Sequence, residues 1–238
     1  MIVRPSVRQS PVVIRLDPFY PIFPDTDWLA RLLPQGIRLV QLRIKDKDQA
    51  TVRAEIEKAV ALCSAYDCTL VVNDNWQDAI AAGAPFVHLG QQDLAGADLR
   101  AIRAAGIKVG VSTHNEEELA AALAAEADYV ALGPVYATTL KAMPWSPQGL
   151  PRLAKWKSKI RCPLVAIGGI TLDRAPLVLA AGADSAAVIT DIVTSQDPKS
   201  RTQNWLAATS PWRGLSTEYP QGYNFPLPLD RERPSRGS

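Results

Sequence analysis

Along the chain, short runs of apolar and β-branched residues alternate with longer stretches in which apolar side chains recur every three to four positions. The runs read "YPIF" (20–23), "LVQL" (39–42), "TLVV" (69–72), "FVHL" (86–89), "KVGV" (108–111), "YVAL" (129–132), "PLVA" (163–166) and "AAVI" (186–189). Runs of this kind mark strands covered on both faces. Between them, "QATVRAEIEKAVALCSAY" sets Val52, Ile56, Ala59, Val60 and Cys63 along one helical stripe, with charges opposite. "NEEELAAALAAEA" opens with acids, which suit a helix N-terminus, and is rich in strong helix formers. Further helices are predicted over about 27–33, 76–82, 97–105, 148–157, 171–180 and 199–206. Eight strands, each followed by a helix, demand a parallel sheet, and eight repeats predict closure into a single-domain α/β fold, a (β/α)8 TIM barrel. The competitor, an open doubly wound sheet, would normally carry a glycine-rich dinucleotide turn after its first strand, and "YPIFPDTD" has none.

The 238 residues suit one such barrel. Its expected span is 18–208, with an N-terminal extension over 1–17, read as a short layer over the barrel bottom. A proline-rich tail over 209–238 has no period and is expected to be disordered or loosely docked. Trp212, Tyr219, Tyr223 and Phe225 leave docking open. The net charge of +2 gives no reason to invoke nucleic acid or a membrane surface. No run approaches the roughly 18 apolar residues of a membrane span. Cys63, Cys68 and Cys162 form no CxxC pair, which fits reduced thiols in a cytoplasm. The sequence is compatible with a homo-oligomer and specifies no oligomeric state.

Chemistry in such a barrel gathers at the C-terminal ends of the strands. There the second strand continues through Gln41, Arg43 and Lys45, alternate positions that share one face. Asn73 and Asp74 follow the third run, and His88, Gln91 and Asp93 the fourth. Ser112 and His114 follow the fifth, and Thr138, Thr139 and Lys141 lie in the long loop after the sixth. Gly168 and Gly169 end the seventh, Ile189 and Thr190 the eighth. Arg43, Lys45 and Lys141, with the hydroxyls of Ser112, Thr138 and Thr139, suit phosphate oxygens. Asp74 and Asp93 would repel a diphosphate unless a hard cation such as Mg2+ sat between. The "IGGI" turn could cradle a second phosphate. Two anionic sites imply two phosphorylated small-molecule substrates.

The ordered set "QLRIK", "NDNW", "HLGQQDL", "GVSTH", "GPVYATTLK" and "AIGGI" resembles thiamine phosphate synthase over roughly residues 19 to 207. That resemblance implies a transferase of thiamine biosynthesis. The enzyme would join a hydroxymethylpyrimidine diphosphate to a thiazole phosphate and release pyrophosphate through a dissociative, carbocation-like step. It also implies that Gln41, Arg43, Lys45 and Asn73 hold the pyrimidine diphosphate and that Asp74 and Asp93 bind Mg2+. Ser112, Thr138 and Lys141 would contact pyrophosphate, and Gly169, Ile189 and Thr190 would help seat the thiazole phosphate. Arg43, Lys45, Ser112 and Lys141 would carry the catalysis. One departure stands out: where the family's loop usually reads Thr-x-Thr-Lys, Leu140 occupies the second threonine position and cannot hydrogen-bond a phosphate.

Plainer roles remain open for these residues. Arg43 and Lys45 could be rim ion-pair partners, Asp74 and Asp93 helix caps, and His88 a structural hydrogen bonder. His114 could cap a helix or orient Ser112. Trp76 and Trp145 could serve in packing, Trp145 within a loop suited to covering the diphosphate. Two other functions compete: a related thiazole tautomerase, which would not need the cations and the aspartate pair together, and a non-catalytic barrel that binds thiamine precursors.

Overall fold

The eight apolar runs become eight strands that pair in chain order, all parallel, and close on themselves. The computed structural model describes residues 14–138 and 145–214. The strands are β1 (Phe19–Phe23), β2 (Leu39–Leu42), β3 (Thr69–Asn73), β4 (Phe86–Leu89), β5 (Lys108–Thr113), β6 (Tyr129–Leu132), β7 (Leu164–Ala166) and β8 (Ser185–Val188). Closure is made where β1 pairs with β8, Tyr20 opposite Ala187. Nearly every strand residue is buried, because one face meets the helices and the other fills the barrel. The inner filling includes Tyr20, Ile22, Leu39, Val71, Tyr129 and Val165.

Ten helices are described around the strands. The first six are α1 (Thr26–Leu32), α2 (Gln49–Ala65), α3 (Trp76–Ala82), α4 (Gln91–Gly96), α5 (Leu99–Ala104) and α6 (Glu116–Ala124). After β6 come α7 (Gly149–Lys157), α8 (Ala175–Ala180), α9 (Thr190–Val193) and α10 (Pro198–Thr209). The predicted stripe of α2 is the one that packs, with Val52, Ile56, Ala59 and Cys63 buried. Asp48 caps its first turn by accepting from the Thr51 N–H at 2.9 Å. The acids that open α6 follow Asn115, whose side chain accepts from the Glu118 N–H at 2.8 Å.

Two helices depart from the sequence reading. The stretch after β4 holds α4, ahead of the helix predicted over about 97–105, so Gln91 and Asp93 lie on a helix. The helix expected from residue 171 begins only at Ala175, with Pro176 in its first turn.

The barrel bottom is closed by residues from both ends of the described chain. Arg213 donates from Nε and Nη2 to the two carboxylate oxygens of Asp17, at 2.8 and 3.1 Å. Asp17 also accepts the Phe19 N–H at 3.0 Å. On α10, Trp205 stacks on Phe19 with ring centroids 5.4 Å apart. Trp212 packs against the outer core just beyond that helix. Most of the expected N-terminal extension, the tail residues Tyr219, Tyr223 and Phe225, and the loop residues Thr139, Leu140 and Lys141 lie outside the described residues.

Candidate active site

A cavity of about 230 Å³ opens at the C-terminal ends of the strands. One wall is polar and is built in strand order: Gln41 and Arg43 from β2 and its extension, Asn73 from β3, His88 from β4 and Ser112 from β5. The facing wall is apolar, with Ala131, Val165, Ile167, Ala187 and Ile189 from the far side of the barrel. Thr138, Gly168, Gly169 and Thr190 complete the rim. The alternation noted in "LVQLRIK" thus turns Gln41 and Arg43 into one space, whereas Lys45 stands outside it, exposed, on Asp74.

The glycine turn after β7 has its shape for a steric reason. Gly168 and Gly169 adopt φ of +97° and +63°, where side chains are strained. A Cβ on Gly169 would lie 2.4 Å from the Ala137 carbonyl oxygen, and one on Gly168 would lie 2.6 Å from the Pro134 Cα. The β6–α7 loop therefore lies directly on the turn, tied by the Tyr136 N–H donating to the Gly168 carbonyl at 3.0 Å. Arg174 fastens the other side, donating to the Gly169 carbonyl at 2.6 Å while its guanidinium covers the Tyr136 ring at 4.4 Å.

Charge is divided unevenly around the mouth. Arg43 is half-buried, and among the described residues its guanidinium makes no hydrogen bond or ion pair. Next to Asn73, Asp74 turns away into a second cavity that it shares with Asp93. Asp74 sits at a left-handed φ of +62°, which aspartate tolerates better than most residues. Its N–H donates to the His88 carbonyl at 2.9 Å, and its carboxylate accepts from Lys45 Nζ at 2.7 Å. Partial desolvation and then the charge and hydrogen bond of Asp74 raise the Asp93 pKa, with Lys45 pulling the other way.

Beneath the polar wall runs a buried chain of hydrogen bonds. Gln41 Nε2 donates to the Tyr20 hydroxyl at 2.9 Å, and the Tyr20 and Tyr129 hydroxyls are 3.0 Å apart. The Tyr129 hydroxyl meets His88 Nδ1 at 2.8 Å, and His88 Nε2 meets Ser112 Oγ at 2.7 Å. Burial pushes the His88 pKa down to about 4, with Asp74 opposing the shift and Arg43 adding to it. The imidazole is accordingly neutral near pH 7. Burial also raises both tyrosines.

Ser112 is therefore oriented by His88 and not by His114. The latter is held by Glu118, whose carboxylate accepts both its N–H and Nδ1 at 2.8 and 2.7 Å. The His114 ring stacks on Trp145, centroids 5.5 Å apart, and its carbonyl accepts from Gln148. The sequence reading missed Tyr20 and Tyr129, which sit inside apolar strand runs and look like ordinary filling. The available signal was their inward strand parity together with a glycine, Gly110, between His88 and Tyr129 in the sheet.

Against known families, residues 20–192 match the model described as thiamine monophosphate synthase. The chain belongs to that family. Among thiamine-phosphate synthases, the Rhizobium etli protein is 59% identical over 203 residues, 85% of this chain and 100% of the relative. The Salmonella paratyphi B protein is 48% identical over 189 residues, 79% of this chain and 90% of the relative. A solved thiamine phosphate pyrophosphorylase from Pyrococcus furiosus superposes with a TM-score of 0.74 at 28% identity, covering 83% of this chain and 98% of its own. A 3-hexulose-6-phosphate synthase, at 21% identity and a TM-score of 0.57, shares the barrel alone. The transferase reading and the TIM barrel stand on these likenesses, and the thiazole tautomerase alternative is not favoured. No helix among the described residues is long and apolar enough to cross a membrane.

Proposed function

We propose that this thiamine monophosphate synthase family member joins 4-amino-2-methyl-5-hydroxymethylpyrimidine diphosphate to hydroxyethylthiazole phosphate, giving thiamine phosphate and pyrophosphate. The observation that carries the reading is a single cavity with two unlike walls. One presents a guanidinium without a partner among the described residues and a hydroxyl, and the other is apolar and ends in a two-glycine turn. In this reading Gln41 and Asn73 face the pyrimidine, and Arg43 and Ser112 take diphosphate oxygens, joined by Lys45, Thr138 and Lys141. Gly168, Gly169, Ile189 and Thr190 seat the thiazole phosphate.

The reaction needs charge stabilisation more than proton transfer. Breaking the CH2–O bond sends its electron pair to the departing diphosphate and leaves a pyrimidine-stabilised cation. The thiazole nitrogen lone pair then closes the new C–N bond. Arg43 and Ser112 oppose the charge that grows on the leaving group, and the apolar wall keeps water from the cation. Holding the two rings face to face supplies the remaining advantage. His88 and Ser112 are no activated-nucleophile pair, because His88 Nδ1 is bonded to a tyrosine hydroxyl where a triad would carry a carboxylate.

A divalent cation fits beside this wall. Asp74 and Asp93 are neighbouring carboxylates; Asp78 lines the same cavity but is held by Arg53 and Gln49, and among the described residues no group of three His, Cys, Asp or Glu could hold a metal. Two carboxylates completed by water and substrate phosphate are a donor set for Mg2+. A Cβ at position 90 would lie 2.9 Å from an Asp93 carboxylate oxygen and so displace that carboxylate. When bound, Mg2+ would neutralise charge on the diphosphate. Lys45, paired with Asp74, links the acids to the cationic wall.

The test supplies both phosphorylated precursors with Mg2+ and follows thiamine phosphate. Product should form, stop with a chelator and return with Mg2+. Product unaffected by chelator and by Asp74→Ala would overturn the metal assignment. No product at all would replace catalysis with precursor binding.

A further inference from the structure

The five-residue chain from Gln41 to Ser112 has a direction, set by the Gln41 amide, which presents its Nε2 to Tyr20. Tyr20 accepts from the Gln41 amide at 2.9 Å, so its own hydrogen has one remaining partner, the Tyr129 oxygen at 3.0 Å. Tyr129 then spends its hydrogen on His88 Nδ1 at 2.8 Å. With Nδ1 accepting, the ring proton lies on Nε2 and is donated to Ser112 Oγ at 2.7 Å. Run the other way, or with a doubly protonated imidazole, Tyr129 would donate to Tyr20 and the Tyr20 hydrogen would have no acceptor. Tyr20 and Tyr129 are 1% and 0% exposed, so no water would relieve it.

We propose that His88 is a positioning residue: fixed by Tyr129 with its proton on Nε2, it donates to Ser112 and leaves the serine hydroxyl hydrogen free to point at the departing diphosphate. A serine whose hydroxyl donated to His88 would instead turn lone pairs toward an anion. The fold reserves space for the link. Position 110 of β5 faces Tyr129, and a Cβ there would lie 2.0 Å from the tyrosine ring and 2.4 Å from its hydroxyl oxygen. The His88 and Tyr129 rings also stack, centroids 5.6 Å apart, which holds the imidazole against rotation. The role of Ser112 on the diphosphate rests on the reaction proposed above, whereas the hydrogen direction does not.

Two measurements separate these layers. The chain has only two histidines, so 15N-histidine NMR of the full protein without substrate can read each ring once His114→Gln has identified the other signal. An unprotonated Nδ1 and a protonated Nε2 are expected for His88. A proton on Nδ1, or on both nitrogens, overturns the proposal. Kinetically, Tyr129→Phe removes the donor to Nδ1 at a residue that does not itself line the cavity. It should lower kcat about tenfold, leave KM for both precursors within about twofold, and cost nothing further in a Ser112→Ala background. An equal loss in that background means that Tyr129 acts elsewhere and overturns the proposal. If Tyr129→Phe fails to fold, the histidine spectrum of the unaltered protein decides the tautomer by itself. Should Ser112→Ala alone leave kcat unchanged while His88 keeps its Nε2 proton, the diphosphate role of Ser112 fails and the tautomer stands.

Discussion

Arginine does opposite work at the two ends of this barrel. At the bottom, Arg213 gives two hydrogen bonds to Asp17, a carboxylate side chain only 8% exposed that also receives the Phe19 N–H. At the mouth, Arg43 is half-buried with no partner among the described residues. A guanidinium pressed into a cavity without a counter-charge is electrostatically unfavourable, and folding gains nothing visible from it. Arginine at the bottom holds the structure, and arginine at the mouth awaits an anion. Placement against a carboxylate, and not residue type, separates the two roles.

The comparison can be broken most sharply at the mouth. Arg43→Ala should slow thiamine phosphate formation by roughly 100-fold, about 3 kcal/mol of lost charge stabilisation, while the urea midpoint barely moves. A large fall in stability with little rate loss would reverse the assignment. Gly169→Ala comes next, because it puts a side chain at positive φ against the Ala137 carbonyl. It should raise KM for the thiazole phosphate about tenfold and leave KM for the pyrimidine diphosphate nearly unchanged. At the bottom, Arg213→Ala should cost about 1–3 kcal/mol in urea unfolding, since Asp17 loses a charged partner, with kcat/KM preserved. Lys45→Ala should cost little stability, because its pair with Asp74 is solvent-facing and pairs of that kind contribute about 0–1 kcal/mol. Its effect belongs in the Mg2+ dependence, where higher Mg2+ should partly restore the rate.

The strands could be read from the sequence because a parallel barrel buries both faces, so runs such as "TLVV" and "YVAL" stay apolar without alternation. The helix α4 could not, since "QQDLAG" is six residues long and has no apolar stripe of its own. Position at a strand end picked out Gln41, Arg43, Asn73, Ser112, Thr138, Gly168, Gly169, Ile189 and Thr190, and the cavity gathers all of them. Lys45, Asp74 and Asp93 were flagged by the same rule yet lie outside the cavity: the backbone turns into the left-handed region at Asp74, Asp93 sits on α4, and Lys45 pairs with Asp74. Lys141 lies outside the described residues. The hydrogen-bonded link from Tyr20 through Tyr129 to His88 was invisible along the chain, because residues 20 and 129 meet only when the sheet closes.

The clasp between Asp17 and Arg213 also says where this enzyme can be extended. Any segment continuing past Gly214 sets out from the floor, a barrel's height away from the opening through which precursors enter. A partner fused directly to Gly214 would therefore begin on the side of the barrel opposite the entrance.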